Sequence, residues 1–227
     1  MDKFKPKQEI DKQYDKGSTS EKYATSSIEN IEKDVGRKFM QEKISELQRD
    51  SFVVDVGCGS GVDLGIYKEM GFTHLFGVDP SRKFLAEAER MLGNTVEFKE
   101  GTFENIPYGD SSFDAVVSRF TMHYSQDINK SLQEVARILR SGGRFIAIIS
   151  HPDADAQETK DVDGNITISL FKSAVHITFP QHSIDEYFST DFFQQFNLLD
   201  KYEYCGAEQD RGINGHPNSL GFVAIKK

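Results

Sequence analysis

The chain has 227 residues, of which 37% are hydrophobic and 28% charged, and this length suffices to bury one substantial core. We therefore expect a single domain over residues 1–227. The formal net charge of −9 argues against a nucleic-acid partner, because gripping phosphate backbones needs clustered Lys and Arg.

Helix-like and strand-like patterns alternate along the first 150 residues. Polar residues 1–19 are followed by apolar positions at helical spacing from Ile28 to Leu47, which predict one or two amphipathic helices. The strands that follow are predicted at "SFVVDV", "HLFGVD", "TVEF", "FDAVVS" and "RFIAIIS". The helices between them are predicted over Val62 to Met70, over "SRKFLAEAERML" with Ser81 as N-cap, and over Ile128 to Leu139, with Gly142 or Gly143 as its left-handed stop.

This alternation predicts βαβ units and a parallel sheet covered by helices on both faces. The alternation of strand-like and helix-like segments ends after Ser150. We predict two short strands at "NITISLF" and "AVHITF", a helix over "SIDEYFSTDFFQQF", and a closing antiparallel pair at "LLDKYEYCG" and "SLGFVAIKK". We expect residues 45–150 to form a ligand-binding core and residues 151–218 to recognise the substrate.

A glycine-rich loop follows the first predicted strand in "VVDVGCGSGVD". Open α/β sheets bind ligands beyond the carboxyl ends of their strands, and glycine lets the backbone approach a ligand closely. Asp79 ends the second predicted strand, where a carboxylate can accept hydrogen bonds from both hydroxyls of a ribose. The loop and the acid together indicate a nucleoside-containing cofactor.

Two cofactors fit this combination: a nicotinamide dinucleotide and S-adenosylmethionine. The dinucleotide pattern GxGxxG requires its last glycine at a position that Val62 occupies here. Asp55, just before the loop, also places a carboxylate there, which attracts a cationic amino group and repels a pyrophosphate. Both features favour S-adenosylmethionine.

The sequence resembles the class I S-adenosylmethionine-dependent methyltransferases, in the small-molecule branch typified by ubiquinone and menaquinone biosynthesis enzymes. The resemblance covers roughly residues 20–150 and rests on "VVDVGCGSG", "FGVDPS", "GTFENIPYGDSSFDAVVS" and "LQEVARILRSGGRFIAI", in the family's order. It implies a doubly wound, Rossmann-like α/β fold with a seven-stranded, mostly parallel sheet, an antiparallel C-terminal strand and N-terminal helices. It also implies S-adenosylmethionine as cofactor and S-adenosylhomocysteine as product.

The resemblance assigns roles to positions around the cofactor: glycines beneath it, Asp79 at the ribose, and a tyrosine that closes over it from the N-terminal segment. The sequence departs from the family at Thr102, where an acid usually accepts from the adenine amino group; a hydroxyl still accepts, without charge assistance. The cofactor-binding residues that the resemblance implies are Tyr23, Asp55, Gly57, Cys58, Gly59, Gly61, Asp79, Pro80, Ser81, Thr102, Phe103, Ser118 and Arg119.

The implied activity is methyl transfer to an oxygen, nitrogen or carbon atom of a small molecule. His123 follows the fourth predicted strand and is the candidate base, because histidine titrates near neutral pH. The motif NPPY of many nucleobase and amide methyltransferases is absent, and "SRFTM" stands there. Two alternatives stay open: a catalytically silent binding or regulatory protein of the same fold, and a nicotinamide-dependent reductase.

Further expectations concern partners and location. The segment "DVDGN", with Asp161 and Asp163, resembles a fragment of a calcium loop, but the series of ligands and the closing Glu are incomplete, so we predict a polar turn and no metal site. Neither cysteine has metal-ligand spacing, and no stretch resembles a signal peptide or a membrane span. We therefore expect a cytoplasmic protein with no membrane partner. Residues 1–30 are predicted to form a mobile lid that shields the reactive cofactor from water.

Overall fold

The computed structural model describes residues 35–155, 160–170, 175–204 and 217–227. Tyr23 and the predicted lid over residues 1–30 lie outside the described residues. In chain order the elements are α1 (Val35–Ser45), β1 (Phe52–Val56), α2 (Val62–Glu69), β2 (His74–Asp79), α3 (Arg82–Leu92), β3 (Val96–Glu100), β4 (Phe113–Arg119), α4 (Ile128–Ile138), β5 (Leu139–Ser150), α5 (Pro152–Asp155), β6 (Asn165–Leu170), β7 (Val175–Pro180), α6 (Ile184–Tyr187), α7 (Thr190–Gln195), β8 (Phe196–Tyr204) and β9 (Ser219–Lys226).

Seven of the strands form one sheet in the order β3-β2-β1-β4-β5-β9-β8. The pairs from β3 to β5 are parallel, and β9 runs antiparallel to both β5 and β8. This arrangement confirms the predicted doubly wound sheet with an antiparallel C-terminal strand. The strand order reverses between β1 and β4, so their carboxyl ends open a crevice of the kind that binds ligands.

The central strands are buried on both faces because helices cover each side. On one face, Val53 and Val117 pack with side chains of α1 and α2, including Phe39 and Leu64. On the other face, alternating strand residues such as Val116 pack against α4 and α7. The continuous apolar character of β1, β4 and β5 follows from this double cover.

Two predicted boundaries were wrong. Helix α4 ends at Ile138 and Leu139 is already extended, so the chain passes directly into β5; Gly142 has a left-handed φ of 78° but lies within that strand. The single helix predicted over residues 183–196 is two short helices, because Phe188 leaves helical geometry. Ser189 then caps a new helix by accepting a hydrogen bond from the amide of Phe192.

The first two strands predicted after Ser150 form an antiparallel hairpin, β6–β7, separate from the main sheet. The predicted closing pair forms β8 and β9 of the main sheet. The hairpin packs against the turn at Met122–Tyr124, where the ring of Phe179 lies 5.0 Å from that of Tyr124. The hairpin therefore meets the chain directly after β4, at the crevice. Within the described ranges, no helix is long and apolar enough to cross a membrane.

Candidate functional site

A cleft opens at the carboxyl ends of β1, β2 and β4, at the point where the strand order reverses. The space within it, part of which is open to solvent, measures about 1140 Å³, enough for a ligand of nucleoside size or larger. The structure brings nine of the predicted cofactor residues together along its lining: Asp55, Gly57, Cys58, Gly59, Asp79, Pro80, Thr102, Phe103 and Arg119.

The glycine loop is held against β2 by its own backbone. The amides of Gly57 and Cys58 both donate to the carbonyl of Val78, at 2.7 and 3.0 Å. Gly57 has a φ of 84°, and a Cβ there would lie 2.0 Å from the Thr121 side chain. Gly59 has a φ of 53°, and a Cβ there would meet no described atom within 4 Å. Gly57 therefore serves the fold, whereas Gly59 leaves room in the cleft for a ligand to contact the backbone.

Asp79 is fixed in place at the end of β2. Its Oδ2 accepts from the amide of Gly59 and its Oδ1 from the amide of Ser81, both at 2.9 Å. The residue is buried, with 7% of its surface exposed. These bonds orient the carboxylate, whose oxygens have about four acceptor positions and can also accept from the hydroxyls of a ligand. This geometry suits a ribose diol.

A buried charge cluster lies at the base of the cleft. Asp63 accepts from Nε of Arg37 at 2.6 Å and from Nε of Arg119 at 2.8 Å. Burial raises the pKa of Asp63, but Arg119 and Arg37 outweigh that effect and hold the pKa below its usual value. Burial raises the pKa of the neighbouring Asp55 well above its usual value, and the charge of Asp63 raises it further. Cationic groups of a ligand would stabilise ionised Asp55.

The wall of the cleft joins the segment after β3 to the segment after β4. Glu104 Oε1 accepts from the Ser125 hydroxyl at 2.8 Å and from the Gln126 amide at 2.7 Å. The carbonyl of Ser125 lies 2.8 Å from Nε2 of His182, just beyond the β6–β7 hairpin. One carboxylate thus fixes the relative position of two loops, and the hairpin region is tied to the same point.

The sequence indicated Asp55 and Arg119 of the charge cluster but not Asp63 or Arg37, and it indicated neither Glu104 nor Gln126 of the wall. Asp63 stood inside the quoted glycine stretch, and an acid just after the loop was the only signal for it. Arg37 lies in α1, far away in sequence, and nothing marked it. Glu104 and Gln126 meet only because their loops are neighbours in the folded sheet, which no local pattern encodes.

Three of the predicted cofactor-binding residues lie elsewhere among the described residues. Gly61 is the N-cap of α2, and a Cβ built there would lie 3.1 Å from the Cβ of Ala88 in α3. The buried Ser81 caps α3, which confirms its predicted N-cap role, and Ser118 is fully buried within β4. None of these three lines the cleft.

His123, the predicted base, is also outside the cleft lining. It is 3% exposed, and its ring lies 4.1 Å from that of Tyr124 and 5.0 Å from that of Phe179. Burial, with a smaller contribution from His182, lowers the pKa of His123 to about 3. The imidazole is therefore neutral near physiological pH and is packed as an aromatic ring between the hairpin and β4.

Comparison with known proteins agrees with this geometry. Residues 54–147 match the family model described as a methyltransferase domain. The chain is 30% identical over 122 residues to the uncharacterized methyltransferase YcgJ of Bacillus subtilis, covering 50% of this chain and 46% of that protein. It is 30% identical over 172 residues to 2-methyl-6-phytyl-1,4-hydroquinone methyltransferase 1 of Oryza sativa, covering 74% of this chain and 48% of the relative.

Among solved structures, the fold is similar to that of a putative S-adenosylmethionine-dependent methyltransferase from Listeria monocytogenes. The TM-score is 0.68 at 20% identity, over 85% of this chain and 98% of that one. The chain spans a little less than half the length of the two curated relatives named above. The family match at residues 54–147 extends from β1 to β5 and includes the strand ends that open the cleft.

Proposed function

We propose that the chain, whose residues 54–147 match the methyltransferase domain, transfers a methyl group from S-adenosylmethionine to a small-molecule acceptor. The observation that carries the proposal is the placement of Asp79: a buried carboxylate, oriented by the amides of Gly59 and Ser81, beside a glycine loop at the sheet's reversal point. An acid that could bind a ribose diol and a loop that a ligand could approach closely meet there, which supports a nucleoside cofactor.

The residues present fit this cofactor. Asp79 would accept from the ribose hydroxyls, and the backbone at Gly59 would lie beneath the ligand. Asp55 and Arg119 would face the methionine portion, whose ammonium and sulfonium groups favour nearby carboxylates and whose carboxylate favours a guanidinium. Thr102 would lie at the edge of the adenine, and its buried hydroxyl has no hydrogen-bond partner in the described part of the protein.

The cofactor supplies a methyl group that its sulfonium has already activated. The contribution of the chain is to bind, to orient and to exclude water, and orientation alone supplies about 7–11 kcal/mol in favourable cases. Asp63 is paired with Arg37 and Arg119, and the buried Asp55 would ionise beside the cationic groups of a bound donor. His123 has a packing role in this proposal, since its ring lies outside the cleft and its pKa is far below neutral.

The acceptor side of the cleft is proposed to lie along the chain after β4. Phe120 and Tyr124 line the cleft there, and the hairpin carries Phe179 onto Tyr124. Aromatic side chains favour a flat or apolar acceptor. The rice relative is named for a hydroquinone, so phenols and hydroquinones are the first acceptors to test. We further propose that the reaction takes place in the cytoplasm, without a nucleic acid or a membrane as partner.

The test is a transfer assay with methyl-labelled S-adenosylmethionine and a panel of hydroquinones, phenols, secondary amines and carboxylic acids. Mass spectrometry would detect the labelled product, and S-adenosylhomocysteine would be measured in parallel. We expect label in at least one acceptor with the wild type and a large loss with Asp79→Asn. Saturable binding of S-adenosylhomocysteine without transfer to any acceptor would instead favour a catalytically silent binding protein. No binding at all would contradict the proposal.

A further inference from the structure

Arg37 is a buried cation of α1 that does not line the cleft, and the function proposed above gives it no role. Its side chain is 1% exposed, and its Nε donates to Oδ1 of Asp63 at 2.6 Å. The other oxygen of that carboxylate, Oδ2, accepts from Nε of Arg119 at 2.8 Å. Asp63 therefore connects a residue of α1 to the last residue of β4.

Arg119 is the cation of this cluster that lines the cleft. Its side chain is 15% exposed, and its guanidinium carbon lies 5.7 Å from the centre of the Phe120 ring, which also lines the cleft. A guanidinium can bind a carboxylate through two parallel N–H groups. The orientation of Arg119 therefore decides whether its donors point toward a ligand in the cleft or toward Asp63 beneath it.

The charge of Asp63 is shared between the two guanidinium groups. Although burial raises the pKa of Asp63, Arg119 and Arg37 together hold it below its usual value, so the carboxylate is ionised. Without Arg37, the Oδ1 atom would lose its donor, and an unsatisfied buried carboxylate oxygen is costly. Asp63 would then turn both oxygens toward Arg119, which would draw that guanidinium away from the cleft and neutralise its charge.

We propose that Arg37 is a positioning residue: by holding one oxygen of Asp63, it keeps the guanidinium of Arg119 oriented and charged for the carboxylate of the cofactor's methionine portion. This inference rests on the proposed function. Arg37 acts through Asp63 and makes no contact with the ligand. Its effect is specific to the carboxylate, so the affinity for a ligand without that group should be nearly independent of Arg37.

The test is calorimetric titration with two ligands: S-adenosylhomocysteine and its decarboxylated analogue, in which hydrogen replaces the carboxylate. The ratio of the two dissociation constants measures the preference for the carboxylate and needs no turnover. The proteins are the wild type, Arg37→Met, Arg37→Lys, and a double variant that combines Arg37→Met with Asp63→Asn. Arg144→Met is the matched control, because Arg144 pairs at 2.7 Å with Glu46, just beyond the other end of α1, and does not line the cleft.

We expect the wild type to bind S-adenosylhomocysteine roughly tenfold or more tightly than the analogue, the range for hydrogen bonds to a charged group. Arg37→Met should lose most of that preference and should bind the analogue like the wild type. Arg37→Lys, which keeps the charge, should retain a larger part of the preference. The double variant should recover it, because an amide at position 63 cannot neutralise Arg119. Arg144→Met should leave it unchanged.

The inference is overturned if Arg37→Met keeps the wild-type ratio, or weakens both ligands equally, as the loss of a purely structural support of α1 would. It is also overturned if the double variant binds the analogue but does not regain the preference. Binding of the analogue shows that a variant is folded. If Arg37→Met does not fold, Arg37→Gln, which keeps a donor for Asp63 without the charge, replaces it and should likewise lower the ratio.

The wild type separates this inference from the proposed function. Equal affinity of the wild type for both ligands would overturn the role of Arg37 and leave the proposed cofactor in place. Binding of neither ligand would contradict the proposed function itself, and this inference with it.

Discussion

The floor of the cleft and its wall are built in different ways. The floor consists of Gly57, Gly59, Asp63 and Asp79, which are set by backbone conformation at strand ends and by buried charge pairs. The wall consists of Thr102, Glu104, Ser125 and Gln126, where side-chain hydrogen bonds join two loops. Changes to the floor should therefore weaken ligand binding strongly, and should also cost stability where they disturb the loop backbone or the charge pairs. Changes to the wall should cost little of either.

Replacing Asp63 should have the largest effect. Asp63→Ala removes the buried carboxylate that pairs with both Arg37 and Arg119. Breaking a buried ion pair in this way costs about 3–5 kcal/mol of stability. Urea unfolding measures the loss of stability. The exposed Asp185, at the start of α6, provides the control Asp185→Asn, which should leave the midpoint unchanged. A loss of stability no larger than that of the control would contradict a stabilising role for the charge cluster.

Two glycines of the loop separate fold from binding. Gly57→Ala places a Cβ 2.0 Å from Thr121 at a left-handed φ, and should lower the free energy of unfolding by about 2–4 kcal/mol. Gly59→Ala adds a Cβ that no described atom opposes, and should cost only on the order of 1 kcal/mol. We expect Gly59→Ala to remain folded and to lose S-adenosylhomocysteine binding more than tenfold.

Thermal unfolding and calorimetry, run together on both variants, test this pair. If Gly59→Ala bound the ligand as the wild type does, the binding role of Gly59 would be contradicted. If Gly57→Ala proved as stable as Gly59→Ala, the structural role of Gly57 would be contradicted.

His123 gives a pH-dependent prediction. Its pKa is about 3 in the folded chain and lies near 6.5 when unfolded, so between these values the unfolded chain binds a proton that the folded chain does not. Its contribution to stability is therefore complete above pH 6.5 and is lost as the pH falls toward 3. His123→Phe should keep the aromatic packing and reduce this acid-side loss, as measured by unfolding midpoints from pH 7 to pH 4.

The same variant tests the predicted base. Turnover by His123→Phe should stay within a few-fold of the wild type at neutral pH, with S-adenosylhomocysteine affinity unchanged. A loss of turnover of a hundredfold or more with unchanged affinity would restore His123 as a base.

Glu104→Gln should have the smallest effect. The substitution keeps an oxygen that accepts from Ser125 and Gln126 but removes the charge, so about 0.5–1.5 kcal/mol of stability should be lost. The affinity for S-adenosylhomocysteine should fall only a few-fold. The exposed Glu89 supplies the control Glu89→Gln. A large loss of affinity for S-adenosylhomocysteine in Glu104→Gln would contradict this minor role of Glu104 in ligand binding.

The same difference explains what the sequence could predict. Gly57, Gly59 and Asp79 are recognisable because a left-handed φ demands glycine and a strand end fixes where an acid points. The parallel sheet followed from strands that are apolar on both faces. Glu104 and Gln126 were not found, because their contact depends on which loops become neighbours after the sheet has formed. His123 was placed in the site by its position after β4, but whether it faces the cleft or the hairpin depends on packing with Phe179.

The proposed contact between Asp79 and the cofactor's ribose is best tested by calorimetric titration of S-adenosylhomocysteine into the wild type, Asp79→Asn and Asp50→Asn. Asp50 is exposed and precedes β1, at the end of the sheet away from the cleft, so it is a matched control. We expect saturable binding to the wild type and to Asp50→Asn. Binding should be weakened roughly tenfold or more in Asp79→Asn, since hydrogen bonds to a charged group are each worth about 1.5–3 kcal/mol. Equal affinity in all three proteins, or no binding to the wild type, would contradict it.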